Sequence, residues 1–362
     1  MVILLELIGD LSENHRDTFV NEENKRITAP DSLPEDRELD RSLRPLQFAD
    51  YVGQEKLKGN LEVFVAAARQ REGALDHCLF YGPPGLGKTT LAGIISNELG
   101  VQMHSTSGPV LEKAADLAGL LTNLQERDVL FIDEIHRLNK VVEEYLYTAM
   151  EDFRLDILID RGPAAKSVQL NLPPFTLIGA TTRAGLLSAP LRDRFGITGR
   201  LDYYSVDEIL TIVNRNAGKL ELHLDDNAGH EVARRSRGTP RVANRLLRRL
   251  RDFAEVEGKG VLTSAIARDS MTRLEIDEHG LDDMDKRILG ALVNTYRGGP
   301  VGLSTLAVTV GEDAGTIEEL YEPYLIQQGL IQRTPRGRMA TATAFERLGV
   351  TYRSPGGQSQ LL

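Results

Sequence analysis

The stretch Gly82-Pro83-Pro84-Gly85-Leu86-Gly87-Lys88-Thr89 decides how the rest of the chain is read. It has the form Gly, four residues, Gly-Lys-Thr. The apolar run His77-Cys78-Leu79-Phe80-Tyr81 precedes it, and a helical pattern over Lys88 to Leu99 follows. Strand, glycine-rich loop, helix is the context in which this spacing has physical meaning. Glycines let successive backbone N–H groups turn inward around a phosphate, and the helix directs its positive dipole end at the same anion. Lys88 then offers a point charge to the terminal phosphates of a nucleotide, and Thr89 offers a hydroxyl to Mg²⁺. The bland alternative is a glycine-rich turn; the flanking strand and helix weigh against it.

Two further buried strands are expected downstream. Val129-Leu130-Phe131-Ile132 ends at Asp133-Glu134, and Phe175-Thr176-Leu177-Ile178-Gly179-Ala180 ends at Thr181-Thr182. Short, continuously apolar runs between helical stretches such as Gly59 to Arg71 are the pattern of a parallel sheet covered by helices. Asp133 is then placed to hold Mg²⁺ through water, and Glu134 to act as general base on an attacking water. Either threonine hydroxyl can orient that water, with Thr182 preferred over Thr181. Arg192 and Arg194 flank Asp193. One reading is a surface bridge to Asp193 or Glu151; the other is a guanidinium supplied to a neighbouring subunit's terminal phosphate.

Outside this core the pattern changes. The arms Leu155 to Asp160 and Ser167 to Leu172 alternate apolar and polar around Gly162-Pro163 and predict a projecting β-hairpin. Its apolar positions, Leu155, Ile157, Ile159, Val168, Leu170 and Leu172, either pack on the domain's own core or form a docking surface. Residues 203 to about 275 read as all helix. From about 276, three helices (Met284 to Tyr296, Ser304 to Val310, Ala314 to Gln328) precede strands at Leu330 to Arg333 and Met339 to Ala342, the winged-helix order. Residues 1–41 read as a polar, loosely ordered lead-in, a small helix at Val2 to Ile8 being the alternative for its apolar start, and residues 351–362 as a flexible tail.

Composition sets outer bounds. The 362 residues carry 43 Lys and Arg against 53 Asp and Glu, a formal net charge of -10, with 41% hydrophobic residues. That is a globular composition of two or three domains, and it argues against coating nucleic acid by bulk charge. The single cysteine, Cys78, excludes a disulfide framework and fits a reducing compartment. The apolar runs are too short for a membrane span, so a soluble cytoplasmic protein is expected. Positive charge is instead local. Arg234, Arg235, Arg237, Arg241, Arg245, Arg248, Arg249 and Arg251 follow one another with no acid between them. A run of one sign repels itself unless anions compensate it, which points to a triphosphate and a neighbour's acidic surface. Arg333, Arg336 and Arg338 lie on the predicted wing with no acid between Glu322 and Glu346. With no aromatic residue among them, sequence-independent contact to a duplex backbone fits better than base stacking.

Taken together, the loop, Leu130-Phe131-Ile132-Asp133-Glu134-Ile135-His136, Gly179 to Gly185, Leu191-Arg192-Asp193-Arg194-Phe195-Gly196 and Gly238 to Arg245 resemble the RuvB family. These are bacterial Holliday-junction branch-migration motors among the AAA+ ATPases, and the resemblance runs from about Arg41 to Val350. It implies an α/β P-loop NTPase (AAA+) domain over 42–202, a helical lid over 203–275 and a C-terminal winged-helix DNA-binding head over 276–350. It implies that Gly85, Gly87, Lys88, Thr89 and Thr90 hold ATP phosphates, with Thr89 and Asp133 at Mg²⁺. Leu43 and Arg44 match the adenine-side motif, and Glu151, Asp152, Phe153 and Tyr204 match positions lining the nucleotide pocket. Arg194 matches the trans-acting arginine finger and Arg241 the second sensor, beside Glu134, Lys88 and Thr182 in catalysis. Arg333 and Arg338 match DNA-contacting arginines. The implied assembly is a homohexamer on double-stranded DNA at Holliday junctions, docked to RuvA through the hairpin around Leu155 to Leu172, with RuvC in the resolving complex. The rival readings are another AAA+ DNA machine such as a clamp loader, or an ATP-dependent switch with negligible turnover. The arginine-bearing wing disfavours the first, and the presence of both Glu134 and Arg194 disfavours the second.

Overall fold

The computed structural model describes residues 42–158, 167–225 and 227–351. The expectations for the lead-in, the hairpin turn and the tail beyond residue 351 fall outside them. The chain divides into two compact units. One runs to Ile212 and includes Thr239–Arg241; the other comprises Val213–Gly238 and the chain from Val242 onward.

The first unit is built on a five-stranded parallel sheet. Its elements run α1 (Glu55–Gln70), β1 (Cys78–Tyr81), α2 (Lys88–Leu99), β2 (Met103–Ser107), α3 (Ala114–Leu121), β3 (Val129–Asp133) and α4 (Lys140–Asp152). Then come β4 (Arg154–Leu158), β5 (Ser167–Asn171), β6 (Thr176–Thr181), α5 (Ala189–Arg192) and β7 (Ile197–Arg200). The sheet order is β2-β3-β6-β1-β7, every neighbouring pair parallel. The three apolar runs are its centre, because only strands covered on both faces bury every side chain. The outer strands β2 and β7 were not legible as strands: β2 is polar and half-buried, and β7 alternates buried and exposed positions. Cys78 is fully buried in β1 and its thiol is pushed well up by that burial. His77 stitches the centre, accepting from the Leu177 amide at 2.9 Å and donating to the Met150 carbonyl at 3.0 Å. Burial holds its pKa down, so it is a satisfied core histidine.

The hairpin forms as β4 paired antiparallel with β5, Leu155 opposite Leu170. Leu155 and Leu172 belong to the domain's own core and Leu170 packs against it. For these three positions the core reading replaces the docking one.

The second unit holds the rest. The helices are α6 (Val206–Lys219, which begins in the first unit), α7 (Ala228–Arg235), α8 (Pro240–Glu257) and α9 (Ser264–Arg273). The all-helix expectation needs one correction. His223–Leu224 (β8) and Val261–Leu262 (β9) form a short parallel pair, too brief to show a period. After them come α10 (Asp283–Gly290), α11 (Leu303–Val310) and a helical stretch over 314–327. The strands Ile331–Thr334 (β10) and Gly337–Ala340 (β11) pair antiparallel, and a closing helix, Ala342–Arg347, occupies part of the expected second strand. Ile288, Leu289, Leu306, Ile317, Leu325 and Phe345 fill the space between these elements and form the separate core of a winged helix.

The arginine run is corrected here as well. Arg235 pairs with Glu231 at 3.2 Å, Arg251 with Glu255 at 3.6 Å, and Arg237 with Asp285 at 2.6 Å and Asp282 at 3.0 Å. The groups that answer these three are the chain's own carboxyls, brought in by the fold.

Candidate nucleotide site

The loop after β1 lies beside the carboxyl end of β6, and β3 lies on the other side of β6. The ends of the three central strands therefore converge, which is where open α/β sheets bind ligands. The loop's shape demands its glycines. Gly82 has φ +145, and a Cβ there would stand 2.3 Å from the Leu201 carbonyl oxygen. Gly85 has φ +78, and its Cβ would stand 2.7 Å from Thr239 Cγ2 and 3.2 Å from Arg241 Cβ. Gly87, also left-handed, precedes the first residue of α2.

Lys88 is buried, and its Nζ donates to the carbonyls of Gly82 (2.8 Å) and Pro83 (2.9 Å). Burial, against the pull of Glu134 and Asp133 and with a smaller push from Arg241, lowers its pKa to about 8. Asp133 is raised by burial and by Glu134, with Lys88 and Arg241 opposing. Lys88, Asp133, Glu134 and Arg241 thus act on one another through space. Thr89 and Thr90 are half-buried beside them. Of the two threonines, Thr182 meets the base: its amide (3.2 Å) and its hydroxyl (3.1 Å) both donate to Glu134 Oε2. Thr181 faces His136 instead, with 2.9 Å between its Oγ1 and Nδ1.

Tyr204 is buried behind the loop, donating to the Leu86 carbonyl at 3.2 Å and lying 3.0 Å from the Tyr51 hydroxyl. Tyr51 is a site neighbour that sequence reasoning missed; a Cβ on Gly87 would stand 3.3 Å from its Oη. Leu43 is buried and Arg44 half-buried at the start of this unit.

The remaining predicted residues gather elsewhere. Arg194 donates to Glu151 (2.8 Å) and to the Pro190 carbonyl (2.8 Å), and its guanidinium sits over the Tyr147 ring at 4.7 Å. The surface-bridge reading therefore describes its contacts within one chain. Asp152 pairs with Arg154, and Phe153 packs edge-on to Phe175 at 5.8 Å. On the wing, Arg333 and Arg338 turn back onto the preceding helix. Glu322, fully buried, pairs with Arg333 at 2.5 Å and with Arg338, and Glu318 stands 3.6 Å and 3.4 Å from them. Arg333 and Arg338 do have acids, from the helical stretch that precedes the wing.

The site fits a magnesium nucleotide. Burial raises the Asp133 carboxyl, the lysine is desolvated, and the loop leaves no room for a side chain at Gly82 or Gly85. Among the described residues no group of three or more His, Cys, Asp or Glu forms a metal cage. A divalent ion would thus depend on Asp133, a threonine hydroxyl and phosphate oxygens, as Mg²⁺ commonly does. No described helix is long and apolar enough to cross a membrane.

Fold and site together define a P-loop nucleotide-binding protein of the AAA+ kind, with a helical lid and a winged helix. Three family models cover nearly all of it. They are the Holliday junction DNA helicase RuvB P-loop domain over residues 43–201, the RuvB AAA lid domain over 204–277 and the RuvB C-terminal winged helix domain over 278–349. The chain belongs to the RuvB family. It is 60% identical over 327 residues to the Holliday junction branch migration complex subunit RuvB of Flavobacterium johnsoniae, covering 90% of this chain and 96% of that one. The solved structure of the Thermotoga maritima RuvB Holliday junction branch migration motor matches with a TM-score of 0.79 at 49% identity, over 86% of this chain and 100% of that one. A lysine-to-arginine mutant of the same Thermotoga protein matches at 0.80 and 49% identity, over 86% and 99%.

Proposed function

We propose that the chain is the ATP-hydrolysing motor subunit of a cytoplasmic Holliday-junction branch-migration complex. One observation carries the reading: Lys88, Asp133, Glu134, Thr182 and Arg241 meet around one phosphate loop in a chain of RuvB family domains. ATP is the substrate. Backbone amides from Gly85 to Thr90 and the Lys88 ammonium bind its phosphates, Leu43, Arg44 and Tyr204 border the base side, and Arg241 reaches in from the lid. Glu134 takes a proton from the attacking water, and Thr182 orients it. Thr89, and Asp133 through water, would hold Mg²⁺, which would supply positive charge against the phosphate oxygens. Arg194, with Glu151 beside it, forms the edge that completes a neighbouring subunit's site in a homohexamer, and Asp152 and Phe153 line the nucleotide pocket. The domains are a motor at 42–202, a lid at 203–275 and a head at 276–350. Arg333, Arg338 and the exposed Arg336 present the wing to duplex phosphates, and the hairpin beyond its core-packed base meets RuvA, with RuvC joining in the resolving complex.

The test is ATP hydrolysis together with branch migration on a synthetic four-way junction, with and without RuvA. Glu134→Gln is expected to bind ATP normally and to lose about 10²–10⁴-fold in turnover, the usual worth of a general base. Near-normal hydrolysis would remove Glu134 from that role. A wild-type chain that hydrolyses ATP but leaves junctions unmoved under every condition would remove the motor reading.

A further inference from the structure

Glu134 is held more closely than its place at a strand end requires. β3 stops at Asp133, and Glu134 takes the left-handed conformation, φ +46, at the head of a 3₁₀ turn over Ile135–Arg137. That turn folds the imidazole of His136 back over the carboxylate, with Nδ1 3.1 Å from Oε2. The amide and hydroxyl of Thr182 donate to the same oxygen. The two Thr182 hydrogen bonds and the imidazole therefore converge on Oε2, the imidazole at ion-pair distance because its Nδ1 is hydrogen-bonded to Thr181 Oγ1, and Oε1 takes neither Thr182 bond. His136 is itself fixed. Its side chain is 9% exposed, Ile135 before it is fully buried, and Thr181 Oγ1, which accepts from the Arg183 amide at 2.9 Å, stands 2.9 Å from Nδ1. The Glu134 side chain is 31% exposed, so water reaches it.

We infer that His136 is a positioning residue for the general base: with Thr182 it fixes Glu134 Oε2 and so leaves Oε1 to receive the proton of the attacking water. The inference rests on the base role proposed above for Glu134. Its physical content is rotational. A glutamate on a left-handed backbone position has free χ angles unless its carboxylate is anchored, and each unproductive rotamer removes base from the reaction without removing substrate. A carboxylate gripped at one oxygen from two directions keeps one orientation. Losing the grip therefore lowers kcat and leaves the KM for ATP nearly untouched.

The experiment compares His136→Asn, His136→Gln and His136→Leu in the full chain, with saturating duplex DNA and with Glu134→Gln alongside. An asparagine amide nitrogen falls near the place of Nδ1, whereas a glutamine amide extends toward that of Nε2. His136→Asn is expected to keep kcat within about threefold, while His136→Gln and His136→Leu lose about tenfold or more at a KM within about twofold. Undiminished kcat in all three overturns the inference. So does equal damage in the Asn and Gln variants, or a loss carried by KM, because a merely structural role would not distinguish the two amides. If the leucine variant fails to unfold cooperatively, the Asn–Gln contrast decides alone. Near-normal turnover in Glu134→Gln overturns the base reading and this inference with it; a dead Glu134→Gln beside unaffected histidine variants overturns the inference only.

Discussion

Gly108 shows how little slack surrounds the residues proposed to do chemistry. A Cβ added there would stand 2.5 Å from the Glu134 carbonyl oxygen and 3.3 Å from the Leu138 amide, both backbone atoms that cannot swing away. Gly108→Ala should displace the turn that carries Glu134 and cost about 1–3 kcal/mol of stability, the scale of an overpacked core. Turnover should fall more than nucleotide affinity, checked by steady-state ATPase beside fluorescent-nucleotide binding; unchanged turnover would show that the turn tolerates the shift. Glu134 was legible in sequence because an Asp-Glu pair at the end of an apolar run has one obvious place in a P-loop fold. Tyr51 and the His136 contact were not. Tyr51 reaches the loop from before the first long helix, and the imidazole returns to the carboxylate only because Glu134 adopts a positive φ that no pattern announces.

At the level of elements, sequence reading succeeded where one element's periodicity sufficed and failed where two elements answered each other. The limits of α2 coincide with the stretch expected over Lys88 to Leu99, because a left-handed Gly87 and Gly100 bound it. Strand β2, Met103-His104-Ser105-Thr106-Ser107, has too few apolar residues to stand out, and becomes a strand because β3 offers it an edge. The wing is the clearest case. Its arginines looked uncompensated because Glu318 and Glu322 lie on the preceding helix. Glu322 is fully buried between Arg333 and Arg338, so Glu322→Gln leaves two cations without their shared anion. It should destabilise this unit by about 2–4 kcal/mol, measured by chemical denaturation, at the lower end for the half-exposed Arg333 partner. Replacing both Arg333 and Arg338 with alanine should weaken duplex binding equally across sequences and reduce the slope of log affinity against log salt by about 2. An unchanged slope would place the phosphate contacts elsewhere.

For the whole molecule, two further measurements separate the assembly from the chain. Arg194→Ala should leave nucleotide binding intact and lower turnover by about 10³-fold or more. Mixed with Lys88→Ala subunits it should recover part of that activity, because intact loops then meet intact arginines; mixtures that stay inactive would confine Arg194 to its bond with Glu151. The second concerns pH. Burial pushes the Asp285 pKa up, to about 8, against the pull of Arg237, and its Oδ1 is buried without a hydrogen-bond partner. A carboxyl raised in the folded state holds a proton that the unfolded chain, with a value near 3.9, has already released. Between about pH 4 and pH 8 the folded state therefore binds more protons, and its stability falls as pH rises through that window. Melting temperature should decline from pH 5.5 to 8.5 more steeply in the wild type than in Asp285→Asn; parallel curves would mean that Asp285 stays ionised. The lone thiol of Cys78, sealed inside β1, has a practical bearing on all of these measurements. A maleimide dye finds no native target in the folded chain, so a cysteine engineered at Arg336 on the wing would take up label alone. Fluorescence from that single reporter could follow the wing on DNA while nucleotide turns over, with no background-cysteine removal beforehand.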